Sequence, residues 1–268
     1  MIGVGLRHKH FPYLMEKPQT RINWFEGITE NFLDTKGRPL EVLKEIRKDY
    51  PVGLHGVSLS IASHEELDFE YLKKVKTLYQ MIDPIVISDH LCWTGSKNVN
   101  LHNLLPISYT EEMLQFLVPK ISQVQDFFQR PLALENLSAY FSMKNSTMSE
   151  WDFLKVLAER SGCKLLLDLN NVYVNSQNQH FDPFLYVDSI PIKHVSEIHL
   201  AGFTDMGDYL FDTHSKPVFS EVWKLFTHKI KENSKVPVLI EWDDDIPDFS
   251  VLELEAVKAL DIIESIES

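Results

Sequence analysis

Two cysteines in 268 residues, Cys92 and Cys163, exclude a disulfide framework, and isolated thiols of this kind are expected as small buried residues. No apolar run approaches the roughly 20 residues that a bilayer span requires. The opening MIGVGLRHKH lacks an apolar stretch preceded by basic residues, so the expectation is a soluble cytoplasmic protein with no membrane partner. Repeats, low-complexity tracts and Gly/Ser linkers are also missing, which points to one domain over 1–268. Positive charge is in short supply: 26 Lys and Arg stand against 39 Asp and Glu, for a net charge of −13. Surfaces that track phosphates are usually basic, so nucleic acid is not an expected partner.

What is present is a series of short apolar runs bounded by turn signals. The candidate strands are residues 3–6, 23–29, 52–59, 85–91, 132–137, 164–174, 196–202 and 236–242. Helical patterns lie between them. Pro39 to Asp49 carries Leu40, Leu43 and Ile46 on one face, and Phe69 to Ile82 spaces Leu72, Val75, Leu78 and Tyr79 helically. Tyr109 to Phe128 has Thr110 as its N-cap, and Ser149 to Ser161 ends at Gly162. Pro217 to Lys231 and Ser250 to Ile266 complete the set, with a short helix at Asp182–Ser189. Alternating strands and helices mean a parallel sheet, and eight apolar strands favour a closed (β/α)8 TIM barrel. Leu91 to Tyr109 lacks regular pattern and reads as a loop over the mouth.

Nearly every run ends in a metal-type ligand. VGLHG supplies His55, VISDHL His90, LALENL Glu135, LLLDLNN Asp168 and Asn171, EIHLAG His199, and VLIEWD Glu241. A parallel barrel collects its functional groups at those C-terminal strand ends. A lone histidine there is usually structural; the collective pattern is the signal. A bare carboxylate inside an apolar run is costly unless a cation compensates it, and no Arg or Lys lies nearby in sequence. Asp212 and His214, two apart in DTH, project to the same side of an extended segment. Imidazoles and carboxylates without thiolates suit iron, zinc or manganese. The remaining histidines read as surface or supporting groups, with His8 and His10 candidates for the mouth. Glu26, Glu30 and Asn31 are either partners behind the ligands or a solvated loop. Asp243, beside Glu241, is the candidate catalytic proton acceptor or, equally, a solvated acid of the DDD run.

The phrases LHGVSLS, SDHLCW, LLPISYTEEML, RPLALENLSAY, GCKLLLDLNNVYVN, EIHLAG, FDTHSKPV and LIEWDDDIP resemble the multinuclear non-heme iron-dependent oxidative enzymes, formerly domain of unknown function 692. The likeness runs from Gly3 to about Ala259 and extends to the methanobactin-biosynthesis-type peptide oxidases. That family is similar to the xylose-isomerase-like barrels, including endonuclease IV. The resemblance implies two to three iron ions cycling between Fe(II) and Fe(III). His55, His90 and Glu135 would hold one, and Glu135, Asp168, His199 and Glu241 a second, with Glu135 bridging. Asn171, Asp212 and His214 would hold the third. It further implies dioxygen as co-substrate, a cysteine-containing precursor peptide bound through its thiolate, and a partner protein that presents the peptide. Two departures from the pattern stand out. Phe203 occupies a place where many relatives have histidine, and Asn178, Gln179 and His180 replace an Asn-His-Gly triplet.

Two rival readings remain open at this level. One is a divalent-metal hydrolase or isomerase on the same barrel, in which two ions activate water or a hydroxyl. The other is a non-catalytic scaffold that binds metal or peptide.

Overall fold

The computed structural model describes residues 1–96 and 99–268. In chain order the elements are β1 (Ile2–Gly5), α1 (Phe11–Met15), β2 (Trp24–Ile28), α2 (Arg38–Asp49), β3 (Val52–Gly56), α3 (Phe69–Ile82) and β4 (Ile87–His90). There follow β5 (Trp93–Ser96), β6 (Val99–Leu105), α4 (Glu111–Phe128), β7 (Ala133–Glu135), α5 (Glu150–Ser161), β8 (Lys164–Asp168), α6 (Leu169–Gln179) and α7 (Pro183–Ser189). The last are β9 (Val195–Leu200), β10 (Thr204–Asp205), β11 (Leu210–Phe211), α8 (Ser220–Ile230), β12 (Val238–Ile240) and α9 (Phe249–Glu267). Eight of the strands close a parallel barrel in the order β1, β12, β9, β8, β7, β4, β3, β2, which is the expected (β/α)8 architecture.

Alternation along each strand sorts the side chains. Val4, Phe25, Leu54, Leu134, Leu165, Leu167, Ile198 and Ile240 face outward into the main core, packed against helices. The inward set differs. Trp24 fills the lower barrel, and its ring lies where a Cβ on Gly3 or Gly53 would sit. Ala133, Leu166 and Val86 form a small separate apolar cluster. Above this plug the inward positions are acids and imidazoles. The helices start where the sequence allows: Asp68, Thr110, Ser149 and Asp182 accept backbone N–H groups of the first turns of α3, α4, α5 and α7. Gly162 closes α5 at φ 72°.

Two expectations need correction. The run 164–174 is not one strand: β8 ends at Asp168, whose side chain accepts from Asn171 N–H and starts α6. The cap outweighs the β-branched residues that follow, because tertiary packing of α6 decides them. Leu91 to Tyr109 is not irregular either; β5 and β6 form an antiparallel hairpin there. Its tip, residues 97–98, lies outside the described residues. A second small hairpin, β10–β11, precedes the DTH loop.

Gly202, after β9, lets the backbone of residues 216 and 217 pass directly over it, since a Cβ would overlap the carbonyl oxygens of Lys216 and Pro217. Gly202→Ala is expected to cost about 1–3 kcal/mol by overpacking. For a chain of this size that corresponds to roughly 2–4 °C of Tm per kcal/mol. Thermal melts of the two proteins check this, and an unchanged Tm contradicts the close approach.

Candidate metal centre

Strand register brings the ligand-type residues to one level. His90 on β4 lies opposite Glu135 on β7, and Asp168 on β8 opposite His199 on β9. His55 ends β3 beside Ser88, and Glu241 follows β12, its N–H bonded to Leu200 O. All are at the C-terminal rim.

His55 Nε2 and His90 Nε2 each lie 3.2 Å from Glu135 Oε2, and 3.4 Å from one another. Their other ring nitrogens are engaged behind: His90 Nδ1 meets Gly56 O at 3.0 Å, and His55 Nδ1 meets Ser88 Oγ at 2.9 Å. A carbonyl only accepts, so His90 Nδ1 carries its proton and the Nε2 lone pair points at Glu135. Among the described residues Glu135 Oε2 has no hydrogen-bond partner despite this proximity. Lone pairs that converge at such distances form a donor set that could hold a cation.

A second set shares Glu135. One ligand atom from each of Glu135, Asp168, His199 and Glu241 falls within 4.8 Å of the others, and all four residues are buried. Asp168 spends Oδ1 on the α6 cap, while Oδ2 is buried and unpartnered. His199 Nδ1 is 2.9 Å from Glu241 Oε2.

The DTH loop closes over these. His214 adopts the left-handed region at φ 44°, a strained conformation for a non-glycine residue. Its Nε2 is 2.7 Å from Asp212 Oδ1 and 3.6 Å from Asp168 Oδ2, and its Nδ1 is 3.0 Å from Glu241 Oε2. Asn170 Nδ2 donates to Asp212 Oδ1 at 2.9 Å. Asn171 donates through Nδ2 to Asn136 O, leaving its Oδ1 buried and without a partner. His214 also groups with Glu241 and Asp243, an arrangement distinct from the Asn171–Asp212–His214 set expected from sequence.

Electrostatics follow from burial. The Glu135 carboxyl is pushed well above its ordinary value by burial; His199 pulls the other way, and Glu241 and Asp168 add to the rise. Burial takes Asp168 up to about 7, against the attraction of His214. His55 and His90 are held low by burial and neighbouring imidazoles, so both are neutral donors. Burial alone would lower His199 and His214 too, but the surrounding carboxylates outweigh it and hold both well above the usual range.

A cavity of about 370 Å³ opens on the cluster, lined among others by His55, His90, Glu135, Asn171, His214 and Glu241. Asp243 also lines it, with Oδ1 paired to Arg7 and Oδ2 3.5 Å from His214 Nδ1. Arg7 Nη2 also lies 3.8 Å from Glu241 Oε1, a cationic neighbour that sequence proximity did not reveal. Neither His8 nor His10 lines this cavity: His8 packs on Phe11, and His10 is buried against Pro247 O. Glu26 is no solvated loop residue but is buried within β2, whereas Asn31 is exposed. Glu30 accepts from Val57 N and Tyr71 OH. Phe203 stacks on Phe219 at 3.9 Å and on Tyr173 at 5.5 Å, away from the cavity lining. Asn178 exchanges two hydrogen bonds with Leu210 and so ties the DTH hairpin to α6. The residue missed outright is Glu197, fully buried on the same face of β9 as His199. Strand alternation, counted two back from His199, is the signal that finds it.

Comparison with known proteins adds a family. The model of the family described as RiPP precursor modification enzyme MbnB/TglH/ChrH matches residues 1–264. A UPF0276 protein of Acaryochloris marina is 44% identical over 257 residues, covering 96% of this chain and 92% of its own. One from Caulobacter vibrioides is 42% identical over 259 residues, covering 96% and 92%. Among solved structures, a D-psicose 3-epimerase aligns with TM-score 0.63 at 12% identity, covering 99% and 98%. Endonuclease IV from Thermus thermophilus aligns with TM-score 0.62, also at 12% identity and the same coverage. At that identity the likeness shows the shared (β/α)8 barrel fold, and nothing more is carried over.

Protons and cations compete for these carboxylates. Metal uptake is therefore expected to release protons, and apparent affinity to rise with pH through the region near 7 where Asp168 loses its proton. Calorimetric titration in buffers of different ionisation enthalpy measures this; uptake without proton release contradicts it. Glu135→Ala should lose more metal than any other single ligand change, because Glu135 belongs to both sets. His214→Ala should spare those two sets. Elemental analysis of the variants decides, and equal losses in both contradict the assignment.

Proposed function

The chain belongs to the MbnB/TglH/ChrH family of RiPP precursor modification enzymes, and on that premise we propose that it is a multinuclear iron-dependent oxidase that uses dioxygen to modify a cysteine of a ribosomally made precursor peptide. The observation that carries the proposal is the donor set: buried imidazoles and carboxylates whose unpartnered atoms converge at the barrel rim, with Arg7 only at their edge.

His55, His90 and Glu135 would hold one ion; Glu135, Asp168, His199 and Glu241 a second; and Asn171, Asp212 and His214 a third. Iron bound there would supply thiolate coordination and the electrons for dioxygen reduction. The thiolate must come from the substrate. Cys92 and Cys163 are buried, and burial pushes both thiols up, Cys163 to about 11.

The chain's own groups supply position and proton handling. Asp243, fixed by Arg7 and facing the cavity, accepts the proton released as the substrate is oxidised. Tyr140 gives its hydroxyl oxygen to Asp212 N–H, and its ring stacks on Phe211 at 5.4 Å. It thereby links the ligand loop to an aromatic wall. Tyr140 also lines a neighbouring cavity of about 620 Å³. Two adjoining cavities suit an extended chain better than one small sugar. A peptide-presenting partner protein would fit the exposed apolar side chains around the mouth, such as Phe141, Met206 and Tyr209.

The test uses protein purified without oxygen, loaded with iron(II), and given cysteine-bearing peptides, starting with those of any short open reading frame found beside its gene. Dioxygen consumption and a mass change localised to the cysteine are expected, both lost when that cysteine is serine. Metal binding without dioxygen uptake would leave a scaffold. Robust nicking of abasic DNA or epimerisation of a ketose would favour a hydrolase or isomerase.

A further inference from the structure

Beneath the rim lie two acids that the proposed chemistry does not use. Glu197 and His199 are two apart on β9 and share its inward face, while Glu26 reaches the same point from β2. Glu197 is fully buried and Glu26 nearly so. His199 Nε2 lies 3.2 Å from Glu197 Oε1 and 3.3 Å from Glu26 Oε1. The opposite ring nitrogen, Nδ1, faces Glu241 Oε2 at 2.9 Å, on the side of Glu135 and Asp168. The ring is thus held edge-on, with one nitrogen toward the rim and one toward the two acids below.

We propose that Glu197, backed by Glu26, is a positioning residue for the metal centre: it accepts the Nε2–H of His199 and so presents the Nδ1 lone pair to the cation. This rests on the metal-centre reading above. The physical reason is the tautomer. Acids face both nitrogens, Glu241 at Nδ1 and Glu197 at Nε2, so a cation at the rim would take the place of the Nδ1 proton while the acceptor at Nε2 keeps the proton that remains. Glu197 is suited to this because β9 is rigid and its pairing on both sides, with β8 and β12, fixes the spacing of residues 197 and 199. The remaining oxygens, Glu197 Oε2 and Glu26 Oε2, are buried and without partners. One rival follows from the same geometry. Glu26, Glu197 and His199 offer atoms within 4.8 Å of one another, close enough to hold a further cation.

Cobalt(II) is the probe, with no peptide or dioxygen present. In protein loaded with cobalt(II) and labelled with 15N-histidine, a paramagnetically shifted imidazole N–H proton of His199 is expected, slow to exchange with solvent. Glu197→Gln keeps an acceptor oxygen and should retain that signal at a shifted position, with near-normal cobalt affinity. Glu197→Ala should lose the signal to exchange and weaken cobalt binding by about 10–100-fold, the usual effect of removing a group that orients a ligand. Circular dichroism and melting of the metal-free proteins control for folding. Equal cobalt affinity and an unchanged signal in Glu197→Ala would overturn the proposal. So would the outright loss of one cobalt equivalent with the His199 signal intact, which indicates a cation bound at Glu26 and Glu197. If the unmodified protein takes up no cobalt, the metal-centre reading itself fails, an outcome distinct from either.

Discussion

Carboxylates sealed inside a barrel must hold protons or meet a positive charge, and this constraint organises the upper half of the molecule. Glu26, Glu135, Asp168, Glu197 and Glu241 are buried together with His55, His199 and His214. Stripping such groups of water costs several kcal/mol each even after the protein relaxes. Among the described residues Arg7 pairs with Glu241 and Asp243. The imidazoles offset part of the charge, as the raised His199 and His214 show, yet Glu135 and Asp168 still hold their protons unusually tightly. A set of divalent cations would remove the conflict at one stroke. The fold accepts this burden because its apolar stabilisation lies elsewhere, between the outer faces of the strands and the helices.

The same separation explains how much was legible in the sequence. Outward positions are continuous hydrophobes, so the eight strands and their helices stand out by run length and period. The ligands interrupt those runs at their ends, so His55, His90, Glu135, Asp168, His199 and Glu241 are visible as misfits, and the structure draws these six to one rim. What stayed hidden depends on three dimensions. Glu197 sits inside EIHL, where an acid before a histidine looks like a solvated strand start. Arg7 is more than two hundred residues from Asp243. Asp168 serves as helix cap and rim residue at once, and the apolar residues after it disguised α6 as strand.

The departures near the site also find physical places. Phe203 is taken up in a stack between Tyr173 and Phe219, so that position contributes packing and not a donor. Asn178 and Gln179 brace the loops, the first holding Leu210 and the second donating to Ala139 O. Neither belongs to the rim set; both line the neighbouring cavity beside it. Family membership and the shared barrel therefore fix the scaffold, and the walls lined by Tyr140 and Phe211 are where selection among peptides would act.

The central claim is that cations occupy the barrel rim. Crystals grown without oxygen from iron-loaded protein, with anomalous scattering recorded on both sides of the iron absorption edge, test it most directly. The account predicts one iron peak among His55, His90 and Glu135 and another among Glu135, Asp168, His199 and Glu241. Absence of anomalous density there at full iron loading, with those side chains bonded only to water and to each other, would contradict it.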